Sequence, residues 1–333
     1  MENLALINSM NALSKKNVLV TGGAGFIGGW LVKELMDLKA KVIVIDLKSS
    51  SPILDGLQKK PVLIKGDVRN FSLARKLIED YKIDFIFHMA AQTIVGVANQ
   101  TPLPTLKTNI EGTWTILEAS RKSPRVRGIV VASSDKAYGD QPSLPYTENT
   151  PLGGLNPYDA SKSSADLLSQ MYFKTYGLPL CIVRSANVFG GGDLHFSRIV
   201  PDAIRSAFYN KNLVIRSDGR FLRDYIYIKD KVRGCLILAD ALLREKEVSG
   251  EAFNFGTNKP QEVLGVVNAI LTLMKKSHLK PIVLNQARNE IKSQSLNSAK
   301  AKKILGWQPQ YSFEDGLKET IQWYARYFKI EKF

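Results

Sequence analysis

From residue 17 onward, short apolar runs alternate with longer segments in which apolar residues recur every three or four positions. The apolar runs are predicted to be strands: Val18–Thr21, Lys41–Asp46, Val62–Lys65, Phe85–His88, Gly128–Ser133 and Leu180–Arg184. The segments between them are predicted to be helices: Phe26–Leu38, Ser72–Tyr81, Leu106–Arg121 and Asp159–Tyr176. Because strands that alternate with helices form a parallel sheet covered on both faces, the pattern predicts an α/β fold with a Rossmann-type doubly wound parallel sheet.

The alternation breaks after the last of these strands. A run of three glycines follows, and loop-like pieces then interleave with helices predicted over Val232–Leu243 and Glu262–Met274. We therefore expect residues 17–186 to form the Rossmann domain and residues 187–333 a smaller mixed α/β C-terminal lobe, with some segments returning to the sheet. Residues 1–16 form a short leader to which we assign no role.

Composition indicates an ordinary globular protein, with 44% hydrophobic and 23% charged residues. No stretch is long and apolar enough to cross a bilayer, and the first residues lack the pattern of a secretory signal. Cys181 and Cys235 each lie in an apolar run, which favours buried free thiols over a disulfide. These features predict a cytoplasmic protein without membrane contacts.

The net charge of +15 raises the question of nucleic-acid binding. The lysines are scattered as isolated doublets, however, and no basic stripe with interleaved aromatic residues accompanies them. We therefore expect no nucleic-acid partner, and a surface that attracts anionic substrates instead. With three histidines and no ligand spacing typical of a metal site, we also expect no metal.

A glycine-rich turn joins the first predicted strand to the first helix. Gly22, Gly25 and Gly28 permit a tight turn, close approach of a pyrophosphate and close helix packing, and the helix N-terminus offers free N–H groups to phosphates. Asp46 ends the next strand, where a carboxylate can accept hydrogen bonds from ribose hydroxyls and repel a 2′-phosphate. The pattern predicts a dinucleotide site that favours NAD over NADP.

Other cofactor contacts are expected where later strands end. Asp67 and Val68 follow the third strand and are placed to reach the adenine. Small residues after the fourth strand allow the backbone to lie against the cofactor. The remaining predicted contacts are Phe26, Ile27, Ala90, Ala91, Gln92 and Asn109.

The candidate chemistry lies in two short motifs. Tyr158 and Lys162 are four residues apart, so a helix places phenol and amine on one face, where the cation favours the phenolate. Ser134 supplies a hydroxyl, and Asp135 and Lys136 add an acid and a second amine beside it. Such a set can do more than move one hydride, and it predicts an enzyme.

Several motifs carry a resemblance to a known family: Gly22-x-x-Gly25-x-x-Gly28, Asn109 within residues 108–113, Tyr158-x-x-x-Lys162, residues 184–190, residues 223–228 and residues 305–309. Together they resemble the extended short-chain dehydrogenase/reductase family over residues 17–324. The resemblance implies NAD(P) in the Rossmann domain, a nucleotide-sugar in the C-terminal lobe, and a homodimer packed through two helices per subunit.

Within that family, the residues after the catalytic hydroxyl separate the activities. An acid and a base there are typical of sugar-nucleotide 4,6-dehydratases, and the Asp-Lys pair at 135–136 is similar to the CDP-glucose 4,6-dehydratase branch. The residues after Gly192 also look most like that branch, but Leu194 and Asp224-Tyr225 have the generic family form. The base and sugar of the substrate therefore stay open.

The resemblance implies a role for each group. Tyr158 takes the C4 hydroxyl proton, helped by Lys162 and Ser134, while NAD takes the hydride; Lys136 removes the C5 proton, Asp135 protonates the departing C6 hydroxyl, and hydride returns to C6. The expected substrate-binding residues are Asn187, Arg198, Arg216, Arg223 and Arg288. Two alternatives remain: a nucleotide-sugar 4-epimerase, and a non-catalytic NAD-sensing protein.

Overall fold

The fold is built around a parallel sheet that the first half of the chain largely forms. The structure, a computed structural model, describes residues 12–244, 246–288 and 290–330. Its strands are β1 (Asn17–Thr21), β2 (Lys41–Asp46), β3 (Val62–Lys65), β4 (Phe85–His88), β5 (Gly128–Ala132), β6 (Leu180–Ser185), β7 (Asn187–Phe189), β8 (Val214–Ile215), β9 (Leu222–Arg223), β10 (Tyr225–Tyr227), β11 (Ala252–Phe255), β12 (Gln261–Glu262) and β13 (Ile282–Val283).

Helices precede and follow most of these strands. They are α1 (Phe26–Asp37), α2 (Pro52–Asp55), α3 (Phe71–Asp80), α4 (Val95–Gln100), α5 (Pro102–Leu106), α6 (Gly112–Arg121), α7 (Pro157–Tyr176), α8 (Ile199–Phe208), α9 (Ile228–Arg244), α10 (Val263–Leu273), α11 (Ala299–Leu305) and α12 (Phe313–Tyr327). A π-helical turn covers Lys107–Glu111, and 3₁₀ turns cover Asp135–Tyr138 and Lys246–Val248.

The large sheet has the strand order β11-β6-β5-β4-β1-β2-β3, and all its strand pairs are parallel. The chain moves outward from β1 to β3, then crosses to β4 on the other side of β1. This reversal opens a crevice between the carboxyl ends of β1 and β4, where doubly wound sheets bind ligands. The predicted Rossmann-type α/β fold is confirmed.

Apolar side chains project from both faces of the sheet, which explains why its strands appear in the sequence as unbroken apolar runs. One face carries Val18, Val20 and Phe87 and packs against a layer that includes α1 and α9. The opposite face carries Leu19 and Ile86 and belongs to a second apolar cluster. Among the described residues, the central strands of the sheet are thus buried on both faces.

One helix differs from its prediction. The segment expected as a single helix over Leu106–Arg121 is interrupted by the π-helical turn, and Asn109 lies in that turn. Its amide oxygen accepts from the Gln92 backbone N–H at 2.8 Å, and its amide nitrogen donates to the Gln92 carbonyl at 3.0 Å. A π turn of this kind commonly marks a functional site, and here it presents an amide to the loop after β4.

The C-terminal half forms small sheets and one strand of the large sheet. β7 pairs with β10, β9 with β12 and β8 with β13, while β11 lies beside β6. The domain boundary at residue 187 stays a prediction. None of the helices in the described residues has the length and apolarity that a membrane span requires.

The first part of the expected leader, residues 1–11, lies outside the described residues. The rest packs on the domain: Leu13 is fully buried, and the Ala12 N–H donates to Asp240 at 3.2 Å. Cys181 and Cys235 are both buried and free.

Candidate active site

A cavity of about 600 Å³ opens at the carboxyl edge of the sheet, between the strand ends and the C-terminal segments. Many of the residues predicted to act in catalysis or binding line this cavity. The predicted site residues in its wall are Phe26, Ile27, Ser134, Asp135, Lys136, Tyr158, Asn187, Arg198, Arg216 and Arg223. Residues that are far apart in the sequence therefore meet around one space.

The glycine turn after β1 is shaped for close approach. Gly22 has a φ of +69°, and a Cβ atom there would lie 2.7 Å from the Ala90 backbone. A Cβ atom on Gly28 would lie 2.1 Å from the Gly22 carbonyl oxygen. A side chain at Gly22 or Gly28 would fill the space beside the turn. The turn therefore forms a glycine cradle that fits a pyrophosphate at the N-terminus of α1.

Asp46, at the end of β2, points toward this turn. Its carboxylate accepts from the Ala24 N–H at 3.0 Å and from the Lys48 N–H at 3.0 Å. Two main-chain bonds fix the carboxylate beside the cradle, which fits the ribose hydroxyls of a dinucleotide. Asp67 instead pairs with Arg69 at 2.5 Å, and that cation lowers the pKa of Asp67.

The loop after β4 forms the other wall of the crevice. The Ala90 N–H donates to the Thr21 hydroxyl at 3.2 Å, and Gln92 is held by Asn109 as described. His88 lies below this loop between two threonine hydroxyls, and burial lowers its pKa to about 3. Because the imidazole is neutral and both of its nitrogens are hydrogen-bonded, His88 supports the loop and does not carry protons.

Tyr158 and Lys162 lie on the first turns of α7, and both side chains are buried. The Lys162 amine donates to the Ala132 carbonyl at 2.8 Å. Burial, together with the charge of Lys231, lowers the pKa of Lys162 to about 8. Burial raises the pKa of Tyr158, while the Arg198 guanidinium and a hydrogen bond with Ser134 oppose that rise.

Ser134 caps the 3₁₀ turn that carries the acid and the amine. Its hydroxyl accepts from the Lys136 N–H at 3.2 Å and donates to the Asp135 carboxylate at 2.9 Å. Asp135 is only 2% exposed, and burial raises its pKa to about 6 despite the opposing charge of Lys136. A carboxyl group with such a pKa can act as an acid or a base near neutral pH.

The Lys136 amine donates to the Gln294 side-chain oxygen at 3.3 Å. Burial and the Arg223 guanidinium lower the pKa of Lys136, while Asp135 and Asp159 act in the opposite direction. A buried amine whose hydrogen-bond acceptor is neutral can be the unprotonated base that carbon deprotonation needs.

The arginines are placed differently from one another. Arg198 is held by the buried Asp193 at 2.8 Å and donates to the Thr93 hydroxyl at 2.7 Å. Arg223 donates to two main-chain carbonyls at 3.0 Å and lies 3.7 Å from Glu290. Arg288 is exposed and does not line the cavity, so its role stays a prediction.

The model of the GDP-mannose 4,6 dehydratase family matches residues 19–320, most of the chain. The chain belongs to this family. The resemblance to extended short-chain dehydrogenases/reductases is confirmed.

Members of this family and related structures are similar over nearly the whole chain. CDP-glucose 4,6-dehydratase of Salmonella typhimurium is 29% identical over 95% of this chain and 92% of its own length. dTDP-glucose 4,6-dehydratase of Bacillus anthracis, solved in complex with NAD, has a TM-score of 0.83 and 30% identity over 95% of this chain and 98% of its own. UDP-glucose 4-epimerase of Thermotoga maritima has a TM-score of 0.86 and 28% identity over 94% and 99%.

Two residues of the site in this chain were not predicted from the sequence. Gln294 is fully buried beside Lys136, and Glu290 lines the cavity beside Arg223. Neither belongs to a recognisable motif, and no sequence signal was available to find them. Among the described residues, no group of three or more His, Cys, Asp or Glu side chains could hold a metal ion.

Proposed function

We propose that this protein is an NAD-dependent 4,6-dehydratase of a nucleotide hexose, most similar to the CDP-glucose enzymes. The observation that supports it most is that Asp135 and Lys136 line the same cavity as Tyr158. An epimerase needs only the tyrosine and the cofactor, whereas an elimination also needs an acid and a base at the next carbons.

Each residue has one task in this proposal. NAD, held by the glycine turn and Asp46, would supply the hydride acceptor for C4 and the hydride donor for C6. Tyr158 withdraws the proton of the C4 hydroxyl, and Ser134 hydrogen-bonds the C4 oxygen. Lys136 removes the C5 proton, which the C4 ketone has made acidic, and Asp135 protonates the C6 hydroxyl as it leaves. Lys136 then returns a proton to C5.

Holding the substrate falls to the other half of the cavity. Arg198, Arg216 and Arg223 line it together with Asn187, and a guanidinium fork suits the oxygens of a pyrophosphate. Lys162 is assigned to the nicotinamide ribose, as the family resemblance implies. The cofactor contacts are the glycine cradle and the residues expected beside it.

We further propose a cytoplasmic homodimer. Three large apolar side chains are exposed on neighbouring helices: Trp114 on α6 is 44% exposed, and Leu167 and Met171 on α7 are 55% and 38% exposed. Leu167 and Met171 are one turn apart and share a face of α7. A second copy that covers this face would bury them.

The test is to incubate the purified protein and NAD with CDP-, UDP-, dTDP- and GDP-hexoses, to measure product masses, and to determine the C4 configuration of the products by NMR. We expect loss of one water, first of all from CDP-glucose. Inversion at C4 without a change of mass would instead identify an epimerase. Lys136→Met should retain cofactor and sugar binding but lose water elimination, and Tyr158→Phe should abolish both half-reactions.

A further inference from the structure

We propose that the amino edge of the large sheet docks on the surface of an anionic phospholipid bilayer. This inference concerns the end of the molecule opposite the active-site cavity and stands apart from the proposed function. Its basis is a set of basic residues that precede or begin five neighbouring strands, here called the basic edge. The set consists of Lys15, Lys16, Lys39, Lys41, Lys59, Lys60, Lys82, Arg125 and Arg127.

The topology of the sheet brings these residues together. Their doublets are far apart in the sequence, but all strands of a parallel sheet start at the same edge. The turns before β3, β2, β1, β4 and β5 therefore form one row, which extends over about 19 Å at about 4.8 Å per strand. Main-chain bonds join the turns: the Lys15 N–H donates to the Lys39 carbonyl at 3.1 Å, and the Lys41 N–H donates to the Lys16 carbonyl at 2.8 Å.

The positive charges of the basic edge are largely uncompensated by carboxylates. Among the described residues, Arg125 is the one member of the set with an ion pair, which it forms with Asp84 at 3.1 Å. Asp37 and Asp80 are close to the set in the sequence, but they pair with lysines outside it at 2.8 and 2.7 Å. The other members are therefore available to an anionic partner.

Helix C-termini account for a small part of this charge. α1, α3 and α6 end at the amino edge of the sheet, and each C-terminus carries about half a negative elementary charge. Three helices thus balance about 1.5 charges, whereas the set supplies nine. Stabilisation of helix ends does not explain the excess.

Several of the lysines lie at turns with unusual backbone conformations. Lys15, Lys39 and Lys82 have φ values of +62°, +63° and +49°, in the left-handed region that few residues other than glycine and asparagine adopt. All members of the set are exposed except Lys16, which is half-buried. The turns thus present cations to solvent at positions where glycine is the residue that the backbone favours.

The basic edge also contains a cavity of about 370 Å³, lined by Lys41, Lys59 and Lys60. The Lys60 amine is fixed there, because it donates to the Leu54 carbonyl at 2.8 Å. Tyr81 is the aromatic residue in the cavity wall, and it is half-buried. Three cations around such a space suit the phosphate of one lipid headgroup.

The arrangement favours a bilayer over a nucleic acid. Proteins hold single strands in a basic groove with aromatic side chains on which bases stack, and they read duplexes with a helix or ribbon inserted in a groove. The basic edge consists of turns and offers neither feature. A plane of anionic headgroups needs only separate cations, each of which strengthens binding about fivefold. Docking by this edge would leave the active-site cavity facing water.

The test is sedimentation of the full-length protein with vesicles of phosphatidylcholine that contain about 30% phosphatidylglycerol, at about 0.1 M salt. The edge variant carries Lys39→Gln, Lys59→Gln and Lys82→Gln, and its matched control carries Lys275→Gln, Lys302→Gln and Lys303→Gln. The control removes the same charge from exposed positions outside the basic edge, one of which, Lys275, is also left-handed with a φ of +54°. If glutamine is tolerated poorly at the left-handed positions, Lys16→Gln, Lys41→Gln and Lys59→Gln form a second edge variant.

We expect the wild type and the control to bind these vesicles and the edge variant to bind roughly 100-fold more weakly. Binding should disappear at about 1 M salt and on phosphatidylcholine alone. The melting temperature and the affinity for NAD should be those of the wild type, because no member of the basic edge lines the active-site cavity.

Two results would overturn the inference. One is a wild type that does not bind the anionic vesicles, and the other is an equal loss in the edge variant and the control, which would reflect net charge alone. The same proteins are also titrated with single-stranded and duplex DNA. DNA binding that the edge variant loses, in a protein that ignores the vesicles, would identify the partner as a nucleic acid instead.

Discussion

Replacing Gln294 with glutamate should turn Lys136 from a base into an ammonium ion. The wild-type amine donates to a neutral amide oxygen at 3.3 Å. A carboxylate oxygen at that distance would attract an ammonium by about 5 kcal/mol at an effective dielectric constant of about 20. Much of this is offset by the desolvation of the new charge, since measured hydrogen bonds to charged groups contribute about 1.5–3 kcal/mol. That range corresponds to an increase of about 1–2 units in the pKa of Lys136.

The sign of the effect follows from the role of the amine. A base is active only when unprotonated, so a higher pKa removes activity at low pH and restores it as pH rises. The acidic limb of the kcat profile for dehydration should therefore move about 1–2 pH units upward in Gln294→Glu, with about 10- to 100-fold lower kcat where both enzymes are on that limb. Oxidation at C4 does not need Lys136, so reduced cofactor should accumulate and be visible by its absorbance.

The assay measures kcat for water loss by mass spectrometry, exchange of the C5 proton with deuterated solvent, and cofactor absorbance across pH 6–10. Gln58→Glu is the control for the added charge, because Gln58 is exposed and distant from Gln294 in the sequence. Gln294→Met removes the acceptor without adding charge and should leave the acidic limb in place. An unmoved limb in Gln294→Glu, or a uniform loss at every pH, would refute the assignment of Lys136 as the base.

Three further predictions test the parts of the fold that support the site. Gly28→Ala places a Cβ atom 2.1 Å from the Gly22 carbonyl oxygen, and the backbone of the turn must move to accommodate it, so the affinity for NAD in isothermal titration should fall at least tenfold and the melting temperature should fall as well. Arg184 pairs with the fully buried Asp166 at 2.8 Å, and Arg184→Met leaves that carboxylate unpaired, so chemical denaturation should show a loss of about 3–5 kcal/mol. Leu167→Asp places a charge on the exposed face of α7, so light scattering should report a monomer if that face is the dimer interface, and an unchanged mass would exclude it.

Sequence patterns predicted the large sheet well because each strand is a local apolar run. β2, β3 and β4 have the expected bounds, and β6 differs from its prediction by one residue. β11 was not assigned, since its four residues become a strand only by pairing with β6. Strands of two residues in the C-terminal half have no periodicity to detect.

The helix expected over Leu106–Arg121 shows a second limit. Its apolar spacing is helical throughout, so periodicity predicts one continuous helix. Within the π turn, Asn109 bonds both main-chain groups of Gln92 and the hydroxyl of Ser161. Those partners belong to other elements, and a hydrogen bond between distant segments leaves no periodic trace in the sequence.

Some residues of the site can likewise be predicted from local sequence patterns, whereas others cannot. Tyr158, Lys162, Ser134 and the two residues after it follow from short motifs, because their spacing along one element fixes their geometry. Gln294 reaches Lys136 from 158 positions away in the sequence, since the chain around it is clamped on both sides. The Gln294 N–H donates to the Leu222 carbonyl at 3.0 Å, and the Tyr146 N–H donates to the Ser295 carbonyl at 2.8 Å.

This clamp has a consequence for the chemistry. A lysine in a motif is an ammonium ion by default, with a pKa near 10.4 in water. Whether Lys136 serves as a base depends on its burial, on the Arg223 guanidinium and on a neutral acceptor at residue 294, all supplied by segments that meet only in the folded chain. The acid–amine pair at residues 135 and 136 can thus be identified from the sequence. Which of the two residues acts as the acid and which as the base depends on the fold around them.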